Sequence, residues 1–458
     1  MQNLPQFLRH RLQNRTNLAK VVGNIGWLFV DRIFQMAVGL IVGVWVARYL
    51  GPAQYGVLAY TFALGALVFP LSLLGLSTVA VQELVSKPDR KHETLGTAFV
   101  LQELAGLIAG FCMIGVAWWQ NGVGSIELWL VTVAAISYLF RVPAIDYWFQ
   151  AQVQSKYTVW AMNAAVLTGA VVKIVVILLG APIIVFAWIF TFEALLKMVF
   201  LVYAYRLTQE SIWQWRFRWR TAAELLEQGW PLLLSGLAII VYMKIDQVML
   251  KSIAGDYAVG IYSVAVRLSE MWYFIPGALM VSVFPSLIRA KQVDPDFFNY
   301  RIQQALDLLV LVSVGVALPL TFVAEPLITL LFGAEFVEAG LILAIHIWAA
   351  VFVFIGVAQT RWLIVEGMNG FVMRQTVIGM VANIGLNLLL IPLYSGLGAA
   401  IATVISYAAA GWLANATHRR TWPLFKMQVS SLLMVPAAYR LWRLVRSSKP
   451  HNVNTDNT

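Results

Sequence analysis

The stretch GWPLLLSGLAIIVYMKIDQVMLKSIAGDYAVGIYSVAVRLSEMWYFIP, residues 229–276, decides how the chain folds. Two apolar runs, 229–250 and 257–286, meet at the short segment GDYAVG, 255–260. Each run is long enough to cross a hydrocarbon core, which takes roughly 20 apolar residues. In lipid every backbone N–H and C=O must be satisfied within the segment, so each run reads as a transmembrane helix. Both runs nevertheless carry charges: Lys244 and Asp246 in the first, Arg267 and Glu270 in the second.

Working outward, the same pattern fills the chain. Further apolar runs lie at 22–47, 57–85, 95–119, 127–149, 157–180, 182–205, 302–324, 338–364, 371–393 and 397–417, which makes twelve in all. The composition agrees: 60% of the 458 residues are hydrophobic and only 12% charged, with a mean hydropathy of +0.76. A soluble domain has about twice that share of charged residues. A soluble enzyme, a disordered chain and a disulfide scaffold are excluded. The alternating ten-residue pattern of a membrane barrel is absent. One cysteine, Cys112, and five scattered histidines give no expectation of a disulfide or a metal site. There is no Walker A loop, GxSxG elbow or HExxH helix, so no cofactor and no enzymatic chemistry are expected.

Charge sets the orientation. With a cytoplasmic N-terminus, twenty-four Lys and Arg fall on the cytoplasmic side, seven of them in the tail from Arg419 to Lys449. The opposite side holds two, Arg48 and Lys251, and an acidic loop with Glu325, Glu335 and Glu338. Basic residues favour cytoplasmic loops, so both termini are expected in the cytoplasm. The net charge of +10 then needs no nucleic acid as partner. The expected organisation is a cytoplasmic N-terminus (1–21), an N-lobe of six helices (22–205), a basic aromatic linker (206–228), a C-lobe of six helices (229–417) and a cytoplasmic tail (418–458). Between Lys426 and Arg440 lie too few residues to cross, so 426–449 reads as a helix lying in the interface. The last residues, 451–458, are polar and read as disordered.

Six basic residues remain inside the spans: Arg32, Arg141, Lys173, Lys197, Lys244 and Arg267. Each costs about 2.5–3.5 kcal/mol at a bilayer centre even on a lenient scale. Acids accompany them: Asp31, Glu103, Asp146, Glu193, Asp246 and Glu270. A water-filled, cation-rich cavity for an anionic or sugar-bearing substrate explains the set. Local ion pairing is the competing explanation for Arg32 beside Asp31, Lys244 near Asp246, and Arg267 three residues from Glu270. Arg141 and Lys173 have no acid within four residues and carry the functional reading. Lys197 lies near a cytoplasmic end and reads as a snorkelling, structural lysine. His346, the histidine within a span, reads as a packed polar residue.

GPAQYGVLAY (51–60) and GDYAVGIYSV (255–264) both give Gly, four residues, Gly and an apolar run with Tyr, at an offset of 204. Each joins the first and second helix of a half. Six helices per half makes a parallel repeat, two bundles related by an axis along the membrane normal, as in alternating-access transporters. The segment SIWQWRFRWR (211–220) alternates aromatic and mostly basic residues. Extended, it places Trp213, Trp215, Phe217 and Trp219 on one face and reads as an interfacial belt. Gly39-x3-Gly43 and Gly106-x3-Gly110 read as helix-packing faces.

Residues 24–51, NIGWLFVDRIFQMAVGLIVGVWVARYLG, resemble the first helix of Wzx-type polysaccharide flippases. The 229–276 stretch is similar to the most recognisable part of that family, and NIGLNLLLIPLYSGLGAAIATVISY (383–407) resembles its last two helices. The resemblance implies an all-α membrane protein of the multidrug/oligosaccharidyl-lipid/polysaccharide exporter superfamily, with two six-helix lobes around a central cavity. It implies flipping of a polyprenyl-pyrophosphate-linked oligosaccharide to the outer leaflet of the bacterial plasma membrane, for O-antigen, capsule or exopolysaccharide. Arg32, Arg141, Lys173, Lys244 and Arg267 are the candidate cations for the pyrophosphate. Asp31, Asp146, Asp246 and Glu270 are the acids that would bond sugars or orient those cations. A polysaccharide polymerase and glycosyltransferases are the partners it implies, beside the bilayer. A cation-coupled multidrug exporter of the same superfamily is the rival, together with a non-flippase membrane component of polysaccharide assembly. A glycan polymerase would need a large outer loop, and none is found.

Overall fold

The computed structural model describes residues 6–447, all helices and connections with no strand among them. The polar segment 451–458 lies outside the described residues. In order the helices are α1 (Gln6–Leu73), α2 (Leu76–Ser86), α3 (Lys91–Asn121), α4 (Ile126–Ile136), α5 (Pro143–Ala151), α6 (Lys156–Leu178), α7 (Ile184–Leu207) and α8 (Trp219–Glu270). They continue as α9 (Phe274–Val293), α10 (Pro295–Phe332), α11 (Ala339–His346), α12 (Ala349–Val365), α13 (Asn369–Gly411), α14 (Trp422–Leu432) and α15 (Val435–Ser447).

Among the described residues, eight helical stretches are long and apolar enough to cross a membrane, or nine if α4 and α5, bent by 43°, form one span. That count falls short of the expected twelve because three long helices continue through a single non-helical residue: Gly51 in α1, Gly255 in α8 and Ser395 in α13. Twelve is reached only if α4 and α5 form one span and each of the three breaks parts two. Gly51 has φ 69° and ψ 171°, and Gly255 has φ 84° and ψ −178°. Positive φ with extended ψ is essentially glycine territory. The duplicated Gly-x4-Gly therefore has a backbone counterpart, since its first glycine makes the same break at both positions.

The chain forms two compact units, Met1–Val248 and Met249–Thr458. The division falls within α8, beyond the junction expected near 228. Packing explains the offset: Leu225, early in α8, is buried with Leu76, Val79 and Ala98 of α2 and α3. A second cluster in the first unit joins Leu84, Leu95, Ile145, Phe149 and Tyr205, drawn from α2, α3, α5 and α7. Gly106 and Gly110 are buried against Tyr138 and Ala135, as the small-residue spacing predicts. Large apolar side chains such as Phe111, Leu178, Phe322 and Leu330 stand exposed on the helices. Amides such as Asn383, Asn387 and Gln428 are buried. That inverted distribution suits a hydrocarbon surrounding.

In the second unit α14 and α15 replace the single helix expected over 426–449. Met434 adopts φ 55° between them, and Pro436 then opens α15. Proline is accepted in a first helical turn but disfavours helix at the residue before it. Both helices are held by buried polar bonds. Arg440 donates from Nε and a terminal nitrogen to the two oxygens of Asp307, at 2.7 Å each. Gln428 of α14 joins Gln359, Gln375 and Asn415 in a closed ring of amides. His346 is buried, its Nδ1 2.9 Å from Ser269 Oγ, as a packed polar residue should be.

The aromatic segment does not stay extended. Ile212–Gln214 is a short 3-10 turn. Trp215 then turns inward against Phe99 and Tyr205, while Trp219 opens α8 and is exposed. The alternation therefore does not place all four rings on one face.

Candidate functional site

Arg141 stands where the chain unwinds between α4 and α5. The sequence Arg-Val-Pro dictates this, because Pro143 starts α5 and pushes Val142 out of the helical region. Arg141 itself is extended, at φ −112° and ψ 130°. Its guanidinium lies 4.1 Å from the Tyr138 ring centre and 4.6 Å from that of Phe69. It also points a terminal nitrogen at Ser72 Oγ, 3.4 Å away. Tyr138 is fixed in turn, its hydroxyl donating to the Gly65 carbonyl at 2.7 Å. Each such cation–π contact is worth about 0.5–2 kcal/mol, more when desolvated. Aromatic faces hold the cation without neutralising it.

Arg141 lines a cavity of about 450 Å³ within the first unit, together with Asp146, Tyr147, Gln150, Glu193 and Lys197. Gln150 donates to Asp146 at 2.8 Å, and Gln102 donates to the Tyr147 hydroxyl at 2.8 Å. Glu193 reaches across from α7 to α6 and accepts from Lys173 Nζ at 2.6 Å. Gly169, one turn before Lys173, leaves the space for that carboxylate: a Cβ there would fall 1.7 Å from Glu193 Oε1. Glycine and lysine on one face of α6 thus form a notch and a cation for one acid.

The expected residues divide. Arg141 and Asp146 line this cavity, and Lys173 approaches it through Glu193. Asp31 accepts from Gln35 at 2.9 Å and, with Asp146 and Arg141, lies within electrostatic reach of Lys197. Arg32 is exposed on α1. Asp246 is buried on α8, its Oδ1 accepting from the Gln247 amide at 2.8 Å, and Lys244 beside it also has interaction partners. Arg267 and Glu270 belong to the second unit, and both have interaction partners.

Glu193 and Lys197 were not among the site residues expected from sequence, yet both line the cavity. Lys197 lies four residues after Glu193, on the same face of α7, and that spacing was the available signal. What the sequence could not give is that α5 would present Asp146 to that face.

A family model described as "Polysaccharide biosynthesis protein" matches residues 45–341. The chain belongs to that family. The match extends over most of the sequence. "Probable flippase AglR" of Haloferax volcanii is 29% identical over 195 residues, 41% of this chain and 39% of that protein. The match therefore spans about two fifths of that relative. Among solved structures, the family member is similar to "Lipid II flippase MurJ, inward closed conformation", with a TM-score of 0.70, 17% identity and 94% of each chain covered. It is also similar to an inward-facing multidrug resistance MATE family transporter of the MOP superfamily, with a TM-score of 0.68, 15% identity, and 91% and 96% covered. At such identities the likeness is one of fold. That fold is all-helical and is shared with both of these structures.

Proposed function

We propose that the protein flips a polyprenyl-pyrophosphate-linked oligosaccharide from the cytoplasmic to the outer leaflet by alternating access. The observation that carries this reading is Arg141, a guanidinium held on two aromatic faces at a helix break and lining a cavity. Guanidinium groups bind phosphate oxygens in a forked geometry. Asp146 and Gln150 beside it suit sugar hydroxyls, which both donate and accept. Lys197 adds a second cation to the same wall. Arg32 and Lys244, with Asp246, are further contacts in this reading.

Both termini face the cytoplasm, in keeping with the distribution of Lys and Arg along the chain. A Glu335→Cys variant is then labelled by an impermeant thiol reagent on intact cells. Labelling only after lysis reverses the orientation.

The decisive experiment deletes the gene and extracts polyprenyl-linked oligosaccharides. Accumulation in the cytoplasmic leaflet with loss of surface polysaccharide is the expected result, and the mass of the lipid identifies the sugar unit. Unchanged lipid-linked glycans with heightened drug sensitivity favour the second reading, a cation-coupled multidrug exporter. That reading has its own support, since Asp146 and Glu193 give the cavity two carboxylates able to meet a cationic drug.

A further inference from the structure

A second cavity, of about 700 Å³, lies in the first unit under the aromatic segment. Phe99 of α3, Val202 of α7 and the rings of Trp213, Trp215 and Phe217 line it. Val142 and Met198 line both this cavity and the one that holds Arg141, so the two share a wall. The charged groups lining it are Glu103 and Arg206, set among hydrocarbon and aromatic surface. At its rim Tyr203 and Trp213 are 62% and 83% exposed, so it opens to the surroundings of the unit.

The aromatic wall is fixed in place. The Arg216 amide donates to the His92 carbonyl at 3.0 Å, and the Arg218 amide to Thr97 Oγ1 at 3.1 Å. Trp215 Nε1 donates to the Tyr205 hydroxyl at 3.3 Å. Ion pairs flank the segment, Lys91 with Glu210 at 2.7 Å and Arg218 with Glu93 at 3.0 Å. An apolar hollow with so fixed a wall is preorganised for a hydrophobic occupant, which lowers the ordering cost of binding.

We propose that this hollow takes a stretch of the isoprenoid chain of the lipid-linked substrate while the adjoining charged cavity takes the polar head. The proposal rests on the flippase reading. The shared wall is what selects an isoprenoid chain over an ordinary acyl chain. A phospholipid keeps its own headgroup at the membrane surface, where the next hollow inward offers it nothing. A lipid whose head is drawn into the cavity of Arg141 must pass its chain outward, and Val142 and Met198 mark the path.

The test uses the full-length protein in phosphatidylcholine nanodiscs and undecaprenyl phosphate bearing a diazirine on its chain. After illumination, label is expected on peptides covering 96–103 and 199–217. Excess unlabelled undecaprenyl phosphate should remove it, and the same excess of phosphatidylglycerol should not. Val202→Trp, which fills the hollow, should lower that labelling at least about tenfold, a loss of about 1.4 kcal/mol in affinity. Val199→Phe at the rim serves if the first variant does not fold. Competable label elsewhere with none here overturns the assignment of the hollow and leaves the flippase reading standing. Displacement by phosphatidylglycerol makes the hollow a site for bulk lipid and also overturns the proposal. No competable label anywhere in the chain overturns both this proposal and the lipid-linked substrate beneath it.

Discussion

In the first unit Lys173 and Glu193 hold an ion pair beside a cavity, and Arg141 rests on two aromatic faces near them. In the second, Gln359, Gln375, Asn415 and Gln428 close a ring of uncharged amides, each 4% exposed or less. Both arrangements bury polar groups inside helices that otherwise present hydrocarbon. They differ in what remains for a ligand. The amides bond to one another and to the carbonyls of Ala410 and Gly411, so their capacity is spent internally. Arg141 is held mainly by ring faces, which satisfy few of the five N–H donors a guanidinium carries. Polarity of the first kind closes a structure, and polarity of the second leaves donors for a substrate.

The largest effect that separates the two lies at Asp307, fully buried in α10 and paired with Arg440 of α15. Hydrogen bonding to Asp307 raises the Arg440 pKa above its ordinary value, so the arginine stays charged. Asp307→Ala leaves that charge without its carboxylate partner and removes one acceptor from each of Gln303 and Ser431. Breaking a buried pair costs about 3–5 kcal/mol, and the 29% exposure of Arg440 places this one near the low end, about 3 kcal/mol. The unfolding temperature of the detergent-solubilised protein should fall sharply. An unchanged temperature would mean that α15 contributes nothing to the second unit.

Next comes the amide ring itself. Gln375→Leu removes the acceptor of Gln359 Nε2 and the donor to Asn415 Oδ1, at about 1–3 kcal/mol for a buried group left unmade. Thermal unfolding should register it, while transport per folded molecule should not change. A transport defect in folded protein would give the ring a role beyond structure and dissolve the contrast.

The ion pair of the first unit should count for less. Its side chains keep 23% and 19% exposure, so solvent screens them in part. A double-mutant cycle on Lys173→Ala and Glu193→Ala, read by unfolding, should give a coupling of about 0.5–3 kcal/mol. Zero coupling would show that the two side chains do not meet in the folded protein. It would also return Lys173 to the role of a free cation that its local sequence suggests.

Much of this architecture was legible in the chain. Hydropathy gave the helical membrane class, and Gly51 and Gly255 announced the two matching breaks. Arg141 was found because a charge in an apolar run has no local explanation. The partner of Lys173 was not legible, since it comes from the next helix, twenty residues on. Ion pairs within one helix follow from spacing, but those between helices depend on rotation about each axis, which hydropathy does not fix. The inward turn of Trp215 was hidden for a related reason. Strict alternation suggests an extended strand, and the 3-10 turn at Ile212–Gln214 shifts the register before it can apply.

The finest test of the comparison is Arg141→Lys, which keeps the charge and changes its shape. Lysine is a compact, strongly hydrated cation and stacks less well on aromatic faces. It also cannot grip a phosphate with two parallel bonds. If Arg141 serves only to balance charge in the first unit, lysine should do as well, and neither stability nor transport should move. If it serves as a held, forked donor, stability should stay near wild type, because the Phe69 and Tyr138 rings remain packed. Flipping of the lipid-linked oligosaccharide should then fall by about tenfold, equivalent to about 1.4 kcal/mol. Measuring both quantities on the same purified protein separates the alternatives. A drop in stability with transport per folded molecule preserved would make Arg141 a structural group like the amides of the second unit.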